Sequence, residues 1–195
     1  MRLTKLSGAF FLGITLIISA CQSKYTRLVK KEMNSGVIHD TTIFNFKFGD
    51  TKAHFFKECW ELNKQKKLSQ GPNNNYVQSL LVNYKDKSTA NNINMLFYPG
   101  FNEYDKIISM DLRFDYTGWA PWNKDLHSDK LLPAIKDTLL KWYPGNDFME
   151  MQKKDSITLF VKVDGNRQIT LYSEKDTRYV VALLEDLRIK LADKK

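Results

Sequence analysis

Cysteine is nearly absent from this chain. Its 195 residues hold two, Cys21 and Cys59, too few to staple a disulfide miniprotein of this length. Nine glycines and five prolines are too scarce for collagen-like or linker-dominated sequence. Histidine is equally sparse: His39, His54 and His127 are scattered, with no His-Glu-x-x-His, Cys-x-x-Cys or calcium-loop run of aspartates beside them. No metal site is therefore expected. Walker and Gly-x-Gly-x-x-Gly sequences are missing too, so no nucleotide cofactor, or cofactor of any other kind, is expected.

Paired catalytic groups are hard to assemble from what remains. His54 and Cys59 lie five apart on an expected helix, roughly 140° around its axis at 3.6 residues per turn, which separates a Cys–His pair. Cys59 reads instead as a small apolar core residue. Asp111 and Asp115 share one side of an expected strand, about 13 Å apart at 3.3 Å per residue, wider than glycosidase carboxylate pairs. A charged outer face with Arg113 between them is the simpler account. The chain is accordingly expected to be no enzyme.

What is present suits a globular domain: 43% hydrophobic and 13% aromatic residues against 27% charged ones, too apolar for a disordered chain. Thirty Lys and Arg against twenty-two Asp and Glu give a net charge of +8. The cations are dispersed and the excess is moderate, which argues against nucleic acid as a partner. Anionic envelope surfaces are natural neighbours for such a charge.

The N-terminus carries an address. Arg2 and Lys5 precede an apolar stretch from Ala9 to Ile18, followed by Ser19, Ala20 and Cys21. A charged region, a short apolar region and small residues before a break are the parts of an export signal. The apolar run falls short of the roughly 20 residues that span a bilayer. Ile18-Ser19-Ala20-Cys21 resembles the lipobox of bacterial lipoproteins, in which the cysteine is acylated and becomes the mature N-terminus. The resemblance implies a signal peptide over 1–20, a membrane partner through lipid on Cys21, and an address in the cell envelope. Gln22 in place of an aspartate leans toward the outer membrane. Loss of residues 1–20 removes Arg2 and Lys5 and leaves a net charge of +6. Residues 21–40 are expected to form a tether without hydrophobic periodicity. Its Lys24, Arg27, Lys30 and Lys31 either rest on anionic head groups, at about 1 kcal/mol each, or remain solvated.

The folded part is expected over 41–195. Phe44, Phe46 and Phe48 alternate with Asn45 and Lys47 as in a strand. Asp50 or Thr51 then caps a helix that places Phe55, Cys59 and Leu62 on one stripe, widened by Phe56. Strands are expected over 76–84 and 93–97. The clearest covers Ile108, Met110, Leu112, Phe114 and Tyr116, alternating with Ser109, Asp111, Arg113 and Asp115. A second helix is expected over about 128–143, with Leu131, Ile135, Leu139 and Trp142 on its stripe. Strands over 148–152, 157–163 and 168–173 follow, the last two joined at Asp164-Gly165-Asn166. The end of the chain fits both a helix and a strand. Asp111-Leu112-Arg113-Phe114 reappears as Asp186-Leu187-Arg188-Ile189 at an offset of 75 residues, which favours a strand bulged near Leu184 and Glu185.

The expected fold class is α+β. Two tandem helix-then-three-strand units, 41–118 and 123–195, are preceded by one N-terminal strand, and the helices pack on one face of an antiparallel sheet. In element order this resembles the beta-lactamase inhibitor protein and the small lipoprotein of the outer-membrane barrel assembly machinery; no residues carry over. Between the units, Tyr116, Trp119 and Trp122 occupy one loop. Packing into the seam between units is the simpler account of the tryptophans. The alternative makes all three residues anchors for an envelope protein or a glycan. The expected function is binding or scaffolding by a lipid-anchored envelope protein. An inhibitor or immunity role for the exposed sheet face is one alternative, and a hydrolase with unidentified carboxylates another.

Overall fold

The structure, a computed structural model, describes residues 23–82, 88–152 and 157–192. The expected signal segment and Cys21 lie outside the described residues. The fold is α+β, an eight-stranded antiparallel sheet with helices on both faces.

Helix α2 (Lys52–Lys64) starts where the sequence places it: Thr51 accepts the His54 backbone N–H at 3.0 Å, while Asp50 accepts that of Lys47. At its far end the Lys67 and Lys66 amides bond to the Leu62 and Asn63 carbonyls. That is a Schellman closure, with Lys66 at φ 57° where glycine is usual. Four strands follow: β1 (Ser69–Gln70), β2 (Val77–Leu81), β3 (Ile93–Phe101) and β4 (Ile107–Tyr116). Pro99 and Gly100 do not end β3, because β2 stops pairing at Val77 opposite Phe97 and leaves Pro99 free of any ladder bond on that side. Helix α3 (Ser128–Trp142) precedes β5 (Met149–Gln152), β6 (Thr158–Asp164), β7 (Arg167–Ser173) and β8 (Val180–Asp186). The sheet order is β1-β2-β3-β4-β8-β7-β6-β5, so β4 and β8 are neighbours, with Met110 opposite Leu184. Each of α2 and α3 is thus followed by four strands, where the sequence suggested units of three.

One face of the sheet carries the main core. Phe55 of α2 and Leu131, Ile135 and Leu139 of α3 pack on Met95, Phe97, Leu112, Phe114, Ile169, Leu171 and Ala182. Rings of Phe46, Phe55 and Phe97 meet at 4.9–6.4 Å in tilted and edge arrangements.

Four expectations are corrected. Residues 24–34, expected within the tether, form helix α1 (Lys24–Asn34), capped by the Ser23 hydroxyl. Its Tyr25, Leu28, Val29 and Met33 recur at helical spacing and pack on Val161 and Val163. Those valines face away from the main core, so α1 lies on the sheet's other side, and helices are not confined to one face. The N-terminal strand is likewise absent. Residues 41–48 form a tight turn in which Phe44 and Asn45 both have positive φ (50° and 68°) and the Phe46 amide bonds to the Ile43 carbonyl, as in a type I′ turn. The alternating phenylalanines come from this reversal. Ile43, Phe46 and Phe48 are buried, and Phe44 packs on Phe97.

The last correction concerns the C-terminus. β8 pairs without a register shift across Leu184 and Glu185, and the chain then turns into α4 (Leu187–Ala192). Asp186 causes the change: its carboxylate accepts the Arg188 amide at 3.0 Å and the Arg188 guanidinium, acting as a helix N-cap. The Asp-Leu-Arg echo therefore joins a mid-strand segment to a strand end.

Candidate functional site

α1 and α4 pack on the sheet's second face against Val161 and Val163 of β6, with Tyr25 of α1 reaching Gln168 of β7 and Lys190 of α4 reaching Glu185 of β8. On β4 the residues directed to this face are Asp111, Arg113 and Asp115, the polar half of the alternation. Arg113 ties Asp111 to the neighbouring hairpin. Its guanidinium lies 3.4 Å from Asp111 Oδ2 and 3.1 Å from Glu174 Oε1, over the rings of Tyr76 and Tyr179. Tyr76 donates its hydroxyl to Asp111 at 3.1 Å. Arg178 repeats the arrangement one step along: Nε donates to Asp115 Oδ2 at 2.9 Å, and the guanidinium lies over Tyr179 and Trp119. Arginine planes stacked on aromatic rings form a surface suited to planar or anionic groups on a partner.

The expected charged outer face is thus only partly solvated. Asp115 is 1% exposed, and burial pushes its carboxyl up despite the Arg178 contact. Burial also raises Glu174, against the pull of Arg113. A carboxyl raised in the folded state keeps a proton that the unfolded chain releases. The associated stability is fully present below the unfolded value, about 3.9 for Asp and 4.3 for Glu, and is lost as pH rises through the folded one. Urea unfolding at about pH 4 and pH 7 should therefore show less acid stabilisation in D115N/E174Q than in wild type. An unchanged pH slope would contradict this assignment.

The three aromatics of the interunit loop are separated by the structure. Tyr116 lines a cavity of about 680 Å³ on the helix side with Leu81, Ile93, Leu126, Ile135 and Trp142. Trp119 joins the arginine face and donates Nε1–H to the Thr177 carbonyl at 3.3 Å. Trp122 is 83% exposed. One tryptophan is thus half-covered on the arginine face and the other exposed, while Tyr116 lies on the helix side. Thr177, at φ 64°, also accepts the Ser128 amide at 2.7 Å. A β-branched residue in this region is strained, and the strain sits in the loop that presents Arg178 and Tyr179.

Sequence reasoning identified Arg113 and Trp119 but missed Tyr76, Glu174, Arg178 and Tyr179, which reach the face from other elements. Alternation in the segment before Tyr179 is broken by its loop, leaving no local signal. Cys59 is half-buried against the core, and burial, reinforced by Glu58, pushes its thiol up to about 12. Since the thiolate is the reactive species, iodoacetamide should modify folded Cys59 about a thousandfold more slowly than an ordinary thiol near 9.0. Rapid labelling would overturn its placement.

Among the described residues, no three His, Cys, Asp or Glu side chains cluster as a metal site requires, and no helix is long and apolar enough to cross a membrane. Comparison with protein-family models, curated proteins and solved structures finds no match.

Proposed function

We propose that this chain is a non-catalytic binding protein of the bacterial cell envelope, anchored through acylated Cys21, that engages a partner through the arginine–aromatic sheet face and the exposed Trp122. The observation that carries the reading is the stacked series Tyr76, Arg113, Tyr179, Arg178 and Trp119, on a sheet face whose helices gather at the β6 end. Such residues recur at the energetic centres of protein interfaces. The connectivity favours two tandem units, α2 with β1–β4 and α3 with β5–β8, joined through β4 and β8. That joining makes the face one continuous surface drawn from both units.

The anchor fits this arrangement. Only Gln22 and Ser23 separate Cys21 from α1, a reach of about 10 Å at 3.3–3.6 Å per residue. Lys24, Arg27, Lys30 and Lys31 are exposed on α1, where anionic head groups would attract them. The envelope address, with the outer membrane favoured, follows from the lipobox resemblance and Gln22.

Metabolic labelling with a radioactive fatty acid tests the anchor: label should enter the wild-type chain and vanish in Cys21→Ala. Label retained in that variant, or absent from wild type, would reject it.

A further inference from the structure

A cavity on the core side of the sheet lies apart from the arginine–aromatic face. The turn over 41–44, β2, β3 and the end of α3 enclose a cavity of about 410 Å³, within the range of small-molecule sites. Ile43, Phe44, Leu81, Met95 and Trp142 give it a largely apolar wall, beside Thr41, Thr42, Ser79 and Tyr143. Trp142 is 39% exposed, so the cavity reaches solvent beside it. Phe44, the bulky residue held at positive φ, is part of the wall.

One charged group lines this apolar space. Arg167 is 5% exposed, and its Nε–H has no hydrogen-bond partner among the described residues. The rest of the guanidinium is held in place, with Nη1 donating to the Thr41 carbonyl at 3.2 Å and Cζ lying 4.5 Å from the Tyr143 ring centre. Tyr143 in turn donates to the Thr42 carbonyl at 2.7 Å.

Charge balance points the same way. Lys162, Asp164 and Arg167 are all buried, and the single carboxylate lies 2.9 Å from Lys162 Nζ but 4.0 Å from Arg167 Nη2. Nearby acids are engaged elsewhere: Asp186 by Arg188 and Asn166, Glu32 by the Gly165 amide. The buried trio therefore carries one positive charge in excess, which is costly without a counter-ion. We infer that the Arg167 cavity binds a small amphipathic carboxylate, its apolar body between Phe44, Leu81, Met95 and Trp142 and its carboxylate on the Arg167 Nε–H.

Calorimetric titration of the full chain with octanoate and with 1-octanol tests this. Octanoate should bind at one site per chain at least tenfold more tightly than octanol, and Arg167→Met should reduce it to the octanol level. Ser79→Leu, which fills the cavity from β2 without touching the charges, should weaken both ligands and serves if Arg167→Met does not fold. Equal affinities, octanoate binding indifferent to both substitutions, or no octanoate binding at millimolar concentration would overturn the inference.

Discussion

Replacing Asp164 by alanine is expected to lower folding stability by about 3–5 kcal/mol, the usual loss when one member of a buried ion pair is removed. The carboxylate has almost no contact with water, accepts the Asn146 amide at 2.7 Å and neutralises Lys162, which is fully buried. Lys162 also donates to the Asn146 carbonyl, so the pair fastens the segment after α3 to β6. Alanine would leave Lys162 and Arg167 buried without any carboxylate. K162M/D164L should recover at least half of the loss, because an apolar pair needs no counter-charge. Urea unfolding followed by circular dichroism measures both. A loss below about 1 kcal/mol, as at an exposed pair, would show that this cluster is hydrated.

Gly165→Ala should rank next, at about 2–5 kcal/mol from a left-handed backbone and a steric clash together. Gly165 has φ 53° at the first central position of the two-residue turn between Asp164 and Arg167, and a Cβ there would collide with the Val37 carbonyl oxygen. The collision matters because this turn holds the N-terminal segment. Glu32 accepts the Gly165 amide at 3.1 Å, Asn166 accepts the His39 amide at 2.6 Å, and Asp40 pairs with Arg188 at 2.5 Å. Hydrogen exchange in the variant should accelerate over 24–40 more than over β3 and β4. Uniform acceleration would mean that α1 is not docked through this turn.

Strand β4 was legible because its two faces differ in kind, and the Asp164-Gly165 turn because a glycine there has one conformational use. Thr51 was legible as a cap for the same local reason. Signals that depended on distant partners were weaker. In α1 the apolar positions Tyr25, Leu28, Val29 and Met33 alternate with cations, so the stripe stands out only once Val161 and Val163 are seen to need cover. In β6 both faces are covered, and Lys162 sits on the core-facing side opposite Ile169. Alternation alone would send a lysine outward. Phe44 and Asn45 misled for a different reason, since two consecutive left-handed residues convert an apparent strand into a reversal.

The candidate site divides similarly. Arg113 was visible as the cation between two aspartates. Its ring partners are Tyr76, just before β2, and Tyr179 in the 174–179 loop, separated from it by up to 66 residues. The cavity at Arg167 was invisible, because its walls are drawn from the 41–44 turn, three strands and the end of α3.

The proposed binding role of the sheet face is tested most directly by photocrosslinking in intact native membranes, with benzoylphenylalanine placed at position 122 and, as a control, at exposed position 130 on α3. The account predicts a discrete crosslinked partner from position 122 that is lost when Arg113 and Arg178 are both changed to alanine, and none from position 130. The same crosslinks from both positions, or a partner from position 122 that persists without the two arginines, would contradict it.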